Sequence, residues 1–284
     1  MTTTWFRSAG RLGLAASVCL LAGAALAQQG PLKTAVDGTF APHAFPNLQG
    51  GTQGFNVDLA QEIGKKLKRE VTVDSAQFSG LLPALQAGTY DFIIAPVTVT
   101  KERAEGYLFP EGYLNTDFQF LVKRDAPEIG KLEELKDKVV TVNRGSAYDS
   151  WARGLESQVG WKVESFGTQS DAVQAVLSGR AFANITGNTV AAWGVKQNPQ
   201  LKLSYLHSTG LVWSAAVRKD RTDMRAQLEN AIECLKTDGT IAKLHEKWFG
   251  LAPRAGAAAV TVFPGTGVPD MPGYDATPRQ ASCS

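Results

Sequence analysis

The chain has 284 residues, 44% of them hydrophobic, an ordinary globular composition with material for one sizeable core or two modest ones. Formal charge is +2; loss of an N-terminal segment carrying Arg7 and Arg11 would take Lys+Arg from 29 to 27, against 27 Asp+Glu. So even a balance gives no argument for nucleic acid or an anionic membrane surface as a partner.

Residues 1–27 read as a secretory signal peptide. Arg7 and Arg11 make a basic start, and Leu12 to Leu26 is an apolar run too short to span a bilayer. Ala25-Leu26-Ala27 fits the small-residue cleavage pattern, so a mature start near Gln28 and export to the periplasm are expected. Cys19 is preceded by Val18 and lies inside the apolar run, which argues against a lipoprotein site.

Beyond this segment a first α/β series appears. Lys33 to Asp37 is a strand, followed by an irregular loop through Gly51. Asn56 is placed to cap a helix to about Lys68, with Leu59, Ile63 and Leu67 on one face. Val71 and Val73 alternate with polar residues as in a strand. Leu81 to Ala87 reads as a helix with Pro83 in its first turn and Gly88 as its stop. Phe92 to Ala95 is a short buried strand, and a polar turn then leads to Arg103. That turn puts a guanidinium beyond the carboxyl end of a strand, where open α/β sheets hold small ligands. Arginine is the side chain best shaped to grip a carboxylate through two parallel hydrogen bonds.

A second series follows. Val139 to Val142 is a strand, Ser146 caps a helix to about Leu155, and Lys162 to Phe166 is a strand. Ser170 is placed to cap a helix stopped by Gly179. Ala181 to Ile185, Thr189 to Val195 and Leu201 to Tyr205 read as strand, helix and strand. The Phe118 to Lys123 strand leads from the first unit to the second, and Leu211 to Val217 leads back. Thr222 to Asp238 is an amphipathic helix, and a last helix runs to Trp248. The fold class expected is α/β: two lobes with parallel-rich sheets, joined by a two-strand hinge that can close on a ligand. The lobe bounds are 28–120 with 215–250 for the first and 121–214 for the second. Residues 251–284, rich in Pro, Gly and Ala, read as an extended or disordered tail.

Cys234 and Cys283 remain after cleavage, either bridged, as an oxidising compartment permits, or as two unpaired thiols. His43, His207 and His245 are widely separated and no CxxC is present, so neither a metal nor any other cofactor is expected. Phosphate-cradling glycine motifs and a serine nucleophile elbow are absent.

Three blocks carry a resemblance. They are Gly54-Phe55-Asn56-Val57-Asp58-Leu59-Ala60; Gly80 to Gly88 with Tyr90-Asp91 and Thr98 to Arg103; and Asp238-Gly239-Thr240 with Lys247-Trp248-Phe249-Gly250. Together they resemble the family 3 extracellular solute-binding proteins, over roughly residues 31–250. Asn56 stands where that family prefers an acid. The resemblance implies a periplasmic, monomeric receptor that captures an amino acid-like carboxylate for an ABC-transporter permease. It implies that Arg103 pairs with the ligand carboxylate, that Thr98 assists, and that the carbonyl of Ala95 or Pro96 lies nearby. It further implies that the Gly145-Ser146-Ala147 turn supplies backbone N–H groups, a role in keeping with unpaired first-turn amides. Phe40 matches an aromatic that stacks on the ligand, and Phe78 is a second wall candidate. Asp37 is placed either to reach the ligand side chain or to order its own loop. His43 reads as a loop residue, and Trp213 as core that could border the cleft.

One departure stands out. The aspartate that family members set against the ligand ammonium falls here on Gly187, and no acid stands between Arg180 and Asp220. Asn188 could offer a carbonyl oxygen; alternatively the ligand is not an ordinary α-amino acid. A second reading of the whole chain is an enzyme on the same scaffold, of the cyclohexadienyl or arogenate dehydratase kind, with Asp37 and His43 as the acid-base candidates. A third is docking onto a separate membrane sensor.

Overall fold

A computed structural model of the chain describes residues 1–4 and 30–283. The signal-peptide reading therefore lies almost wholly outside the described residues. From residue 30 the chain runs β1 (Leu32–Val36), β2 (Phe45–Pro46), β3 (Thr52–Gln53), α1 (Phe55–Leu67), β4 (Val71–Ser75), α2 (Phe78–Gln86), β5 (Ile93–Thr98), α3 (Lys101–Gly106), β6 (Tyr107–Leu108) and β7 (Leu114–Lys123). A single 3-10 turn at Leu132–Leu135 leads to β8 (Val139–Asn143), α4 (Ala147–Gly154), α5 (Glu156–Val159), β9 (Lys162–Phe166), α6 (Gln169–Leu177), β10 (Ala183–Gly187), α7 (Asn188–Gln197), β11 (Leu201–Arg218), α8 (Thr222–Thr237) and α9 (Thr240–Phe249).

The fold is α/β with two lobes. In one, β1 pairs in parallel with β4, and Thr34 Oγ1 accepts the amide of Ile94 at 3.0 Å to tie β1 to β5. In the other, β8 lies between β9 and β10, parallel to both. The long strands β7 and β11 run antiparallel between the lobes; β11 pairs with β5 on one side and β7 pairs with β10 on the other. One sheet path, β5-β11-β7-β10-β8-β9, thus passes through both crossings. The two strands expected at 201–205 and 211–217 are a single 18-residue β11, whose pairing slips between Leu203 and Leu206 and again between His207 and Leu211. Gly210, with φ 68°, absorbs the second slip, which is why the sequence pattern looks interrupted there.

Several helix starts differ from expectation for local reasons. Asn56 does not cap α1: Gly54 does, with φ 143°, and Asn56 points into the core. A Cβ on Gly54 would lie 2.3 Å from the carbonyl oxygen of His43, so only glycine lets this turn sit against the His43 loop. Helix α2 starts at Phe78, which places Pro83 in its second turn and leaves the carbonyl of Ser79 without a helical donor. Thr168, not Ser170, caps α6 by accepting from the amide of Asp171.

The tail is neither loose nor a further domain. It lies against α8, where buried carboxylates capture its amides: Glu111 Oε1 accepts from Phe263 N, and Glu229 Oε1 from Gly267 N at 3.0 Å. Lys236 Nζ reaches Glu111 Oε2 at 3.1 Å and the carbonyl of Thr261 at 2.9 Å, and Arg279 pairs with Glu233. Cys234 and Cys283 are disulfide-bonded with their Cα atoms 5.4 Å apart. Ala258, fully buried, donates to Asn115 Oδ1 on β7, so the strap extends to the hinge.

Candidate functional site

The turn after β5 makes the site. Thr100 caps α3 by accepting from the amide of Arg103 at 3.2 Å, which fixes Arg103 in the first turn. Its side chain then folds back over the strand end. Nη1 donates to the carbonyl of Thr98 at 2.9 Å and Nη2 to the carbonyl of Gly145 at 3.0 Å, across the cleft. The guanidinium also lies 5.5 Å from the ring centre of Phe78. Burial pulls its pKa down to about 10, so it is still a cation at neutral pH. Among the described residues it has no carboxylate within salt-bridge distance.

Around it is a tight cavity of about 10 Å³. Of the residues expected from sequence, Asp37, Phe40, Phe78, Pro96, Thr98, Arg103, Ser146 and Ala147 line it. Ala95 does not. Side chains alternate along β5, so Pro96 and Thr98 face the cavity while Ala95 is packed with Val97 and Leu81. Gly145 is outside the lining, and its amide is already taken by Asp149 Oδ2 at 2.9 Å; its carbonyl, not its N–H, meets Arg103. Ser146 caps α4 through Asp149 N, which leaves Ala147 and Tyr148 as first-turn amides. Asn188 is not brought to the cavity. It opens α7 on the hinge side and borders a separate, far larger groove of about 920 Å³ shared with Trp193, Trp248 and residues 253–257. The arginine on that groove, Arg254, is exposed, whereas Arg103 on the small cavity is partly buried.

Two lining residues escaped the sequence reading, Asn143 and Tyr148. Asn143, the last residue of β8, donates to Asp37 Oδ2 at 2.7 Å across the cleft. Asp37 Oδ1 accepts from the amide and hydroxyl of Thr39, and that hydroxyl in turn accepts from Gln169 N at 3.0 Å. Asp37 thus orders its loop and ties the lobes together. Tyr148 lies in the first turn of α4, and burial raises its pKa above the ordinary phenol value. The position of Asn143 just before a glycine turn was the available signal; nothing in the local sequence marked Tyr148.

His43 lies in the loop between β1 and β2, as expected, and is fully buried there. Asn56 Nδ2 donates to the carbonyl of Ile94 and to Tyr113, so Asn56 Oδ1 accepts from His43 Nδ1 at 2.9 Å. Nε2 is then the acceptor for the Thr189 hydroxyl at 2.8 Å, on the other lobe. Burial lowers the His43 pKa to about 3, which keeps this contact neutral. Trp213 is also fully buried, edge-on to His43 with centroids 4.7 Å apart, and its Nε1 donates to Thr98 Oγ1 at 3.1 Å.

A family model for bacterial extracellular solute-binding proteins, family 3, matches residues 32–251. The L-cystine-binding protein TcyJ of Escherichia coli is 30% identical over 229 residues, 78% of this chain and 84% of that protein. The histidine-binding periplasmic protein of Escherichia coli is 27% identical over 248 residues, 84% and 94% of the two chains. An ancestral arginine-binding protein solved with arginine bound superposes with a TM-score of 0.75 at 37% identity, covering 78% of this chain and all of that one.

Proposed function

The chain belongs to the family 3 bacterial extracellular solute-binding proteins, and from that membership we propose that it captures a small carboxylate-bearing solute, an amino acid or a derivative, for an ABC importer. The observation that carries this reading is the partly buried Arg103 guanidinium, held between carbonyls of both lobes and without an acid partner among the described residues. A desolvated cation of that kind is matched by a carboxylate, which offers two acceptors in the plane of the fork. Thr98 adds a hydroxyl, and the first amides of α4 add donors from the opposite lobe. A ligand that touches both lobes favours the closed form by its differential affinity for it.

Relatives named for cystine and histidine, and a solved substrate-binding protein of an amino acid ABC transporter, support an amino acid-like ligand, a permease partner and a periplasmic location. On the same reading, residues 28–120 with 215–250 form one lobe and 121–214 the other. The enzyme alternative is weaker. Its acid-base candidates are His43, with both nitrogens engaged, and Asp37, which already accepts three hydrogen bonds. A relative that is a precursor of cyclohexadienyl dehydratase is itself an amino acid-binding protein.

The test is calorimetry on the ligand found by a thermal-shift screen of amino acids and related carboxylates, since binding to the native state alone raises stability. Arg103→Ala should weaken binding by about 3–5 kcal/mol, the range for stripping a buried charge of its partner. An unchanged affinity would falsify the assignment.

A further inference from the structure

The groove that Asn188 borders shares no lining residue with the cavity beside Arg103. At about 920 Å³ it has the size of small-molecule sites, which run from roughly 300 to 1,000 Å³ and favour junctions between domains. Its walls come from separate parts of the fold. Helix α7 gives Trp193 and Lys196, α9 gives His245 and Trp248, the tail gives residues 253–257, and the crossing strands β7 and β11 contribute as well. The family match ends at residue 251, so the tail side of the groove lies outside what that family shares. That side is anchored at both ends. His245 Nδ1 donates to the carbonyl of Leu251 at 2.7 Å, and the buried Ala258 donates to Asn115 Oδ1 at 2.9 Å.

The side chains on these walls have a distinct chemistry. Trp193 and Trp248 are half-buried, and both lie against Phe45, with ring centres 5.6 and 5.8 Å away. Phe45 thus braces two indoles, one from α7 and one from α9. Lys196 Nζ is 5.8 Å from the ring centre of Trp193, so a cation stands beside that aromatic wall. Arg254 stands on the tail. Both cations are exposed, and among the described residues neither has a carboxylate within salt-bridge distance. Asp117 is the one carboxylate in the lining, and its Oδ1 accepts from Thr209 N at 2.9 Å. Two cations against one engaged acid favour an anion, and the indoles favour a flat apolar body attached to it.

We propose that this groove is a second small-molecule site, separate from the cleft, and that it takes a small aromatic anion. The ring packs on Trp193 and Trp248, and the charge lies toward Lys196 and Arg254. An occupant there touches α7, α9 and the tail at once, which gives the anchored tail a role that the cleft does not need.

The probes are 1-naphthoate, 1-naphthalenesulfonate and the neutral 1-naphthylmethanol, titrated by calorimetry into the full chain. Arg103 would also attract a carboxylate, so the Arg103→Ala variant is the host for every titration. Both anions should bind this host, and the alcohol about fivefold more weakly, the scale of two exposed ion pairs. Adding Lys196→Met and Arg254→Met should weaken the anions to the level of the alcohol and leave the alcohol unchanged. Adding Trp193→Ala should abolish binding of all three, while Trp193→Phe, which keeps an aromatic wall, should retain it. Failure of both anions to bind overturns the proposal. So does an alcohol that binds as well as the anions, or binding that survives Trp193→Ala in a folded chain. Self-association of the host that Trp193→Ala relieves, seen by ultracentrifugation, would put a second copy of the chain in the groove and overturn it too. Because the host lacks Arg103, each of these results leaves the solute-binding reading of the cleft untouched.

Discussion

Arg103 and Lys236 are both cations drawn in from the surface, Lys236 fully and Arg103 in part, and their surroundings differ in kind. Lys236 is fully enclosed on α8, with Glu111 at 3.1 Å, the Thr261 carbonyl at 2.9 Å, and Glu229 and Glu233 on the same helix. Every member of that cluster has a partner in the chain: tail amides for Glu111 and Glu229, Arg279 for Glu233. Arg103 has carbonyls only. Burial lowers the pKa of both, but only around Lys236 do protein carboxylates oppose the shift at contact distance. A buried charge satisfied by its own chain holds segments together, here the strap of residues 263–279 on α8. A buried charge left with neutral acceptors costs stability by itself, and it is worth keeping where something outside the chain completes it.

The largest effect that separates the two regions is expected from removing each cation. Lys236→Met leaves Glu111 buried without its counter-ion, which should cost about 3–5 kcal/mol of unfolding free energy. Arg103→Met strands no carboxylate, and the ligand-free protein should lose no more than about 1 kcal/mol. Urea unfolding of both variants decides the matter. Equal losses would mean that Arg103 is as structural as Lys236 and that the distinction between the two regions is empty.

The legibility of the two regions in sequence follows the same divide. Arg103 and Thr98 could be read because strand, cap and turn are local: a buried run, then Thr100, then a short helix. Ser146 was legible for the same reason, as a cap that follows a strand and a glycine turn. The partners that reach across the fold were not. Trp213 meets Thr98 only because β11 is in register with β5, and Gly210 hides that register by breaking the alternation. His43 lies in an irregular loop, and its burial depends on Asn56 turning inward from α1, where sequence preference placed it as a cap. The clasp was least visible. Phe263, Gly267 and Arg279 follow no period, and what orders them is Glu111, before β7, together with Glu229 and Glu233 on α8. The helix itself was legible from Met224, Leu228, Ile232 and Leu235; what would cover its other side was not.

A second contrast concerns the covalent part of the clasp. The Cys234–Cys283 bridge closes a loop with a sequence separation of 49, so the double substitution Cys234→Ser/Cys283→Ser should lower stability by about 2–4 kcal/mol. The cavity lies on other elements, and its ligand affinity should be unaltered in the folded variant. A large loss of affinity on reduction would show that the strap, which reaches Asn115 on β7, sets the hinge as well as α8.

The smallest effect is a difference in sign. His43 has a folded-state pKa of about 3, held below 6.5 chiefly by burial, with His245 adding repulsion. Such a group contributes stability that is present above pH 6.5 and is lost as pH falls toward 3; at pH 5 the loss is about 2 kcal/mol. Glu229 has a folded-state pKa raised from 4.5 to about 7, chiefly by burial and secondarily by Glu111 and Glu233. Its contribution is present below 4.5 and is lost as pH rises through 7, about 2.5 kcal/mol between pH 5 and 8. Glu111 and Glu233 are shifted the same way by burial, Lys236 is shifted down, and Arg279 faces Glu233, so the alkaline limb is read as a difference between wild type and Glu229→Gln. Acid should therefore loosen the contact between the lobes, where His43 meets Thr189, while alkali loosens the clasp. Urea midpoints from pH 5 to 8 should pass through a maximum between the two limbs, with His43→Gln flattening the acid side alone. An acid limb that survives in His43→Gln would place the pH sensitivity outside the lobe contact. The neutral cleft and the charged clasp would then not be the two separate regions that their hydrogen bonds describe.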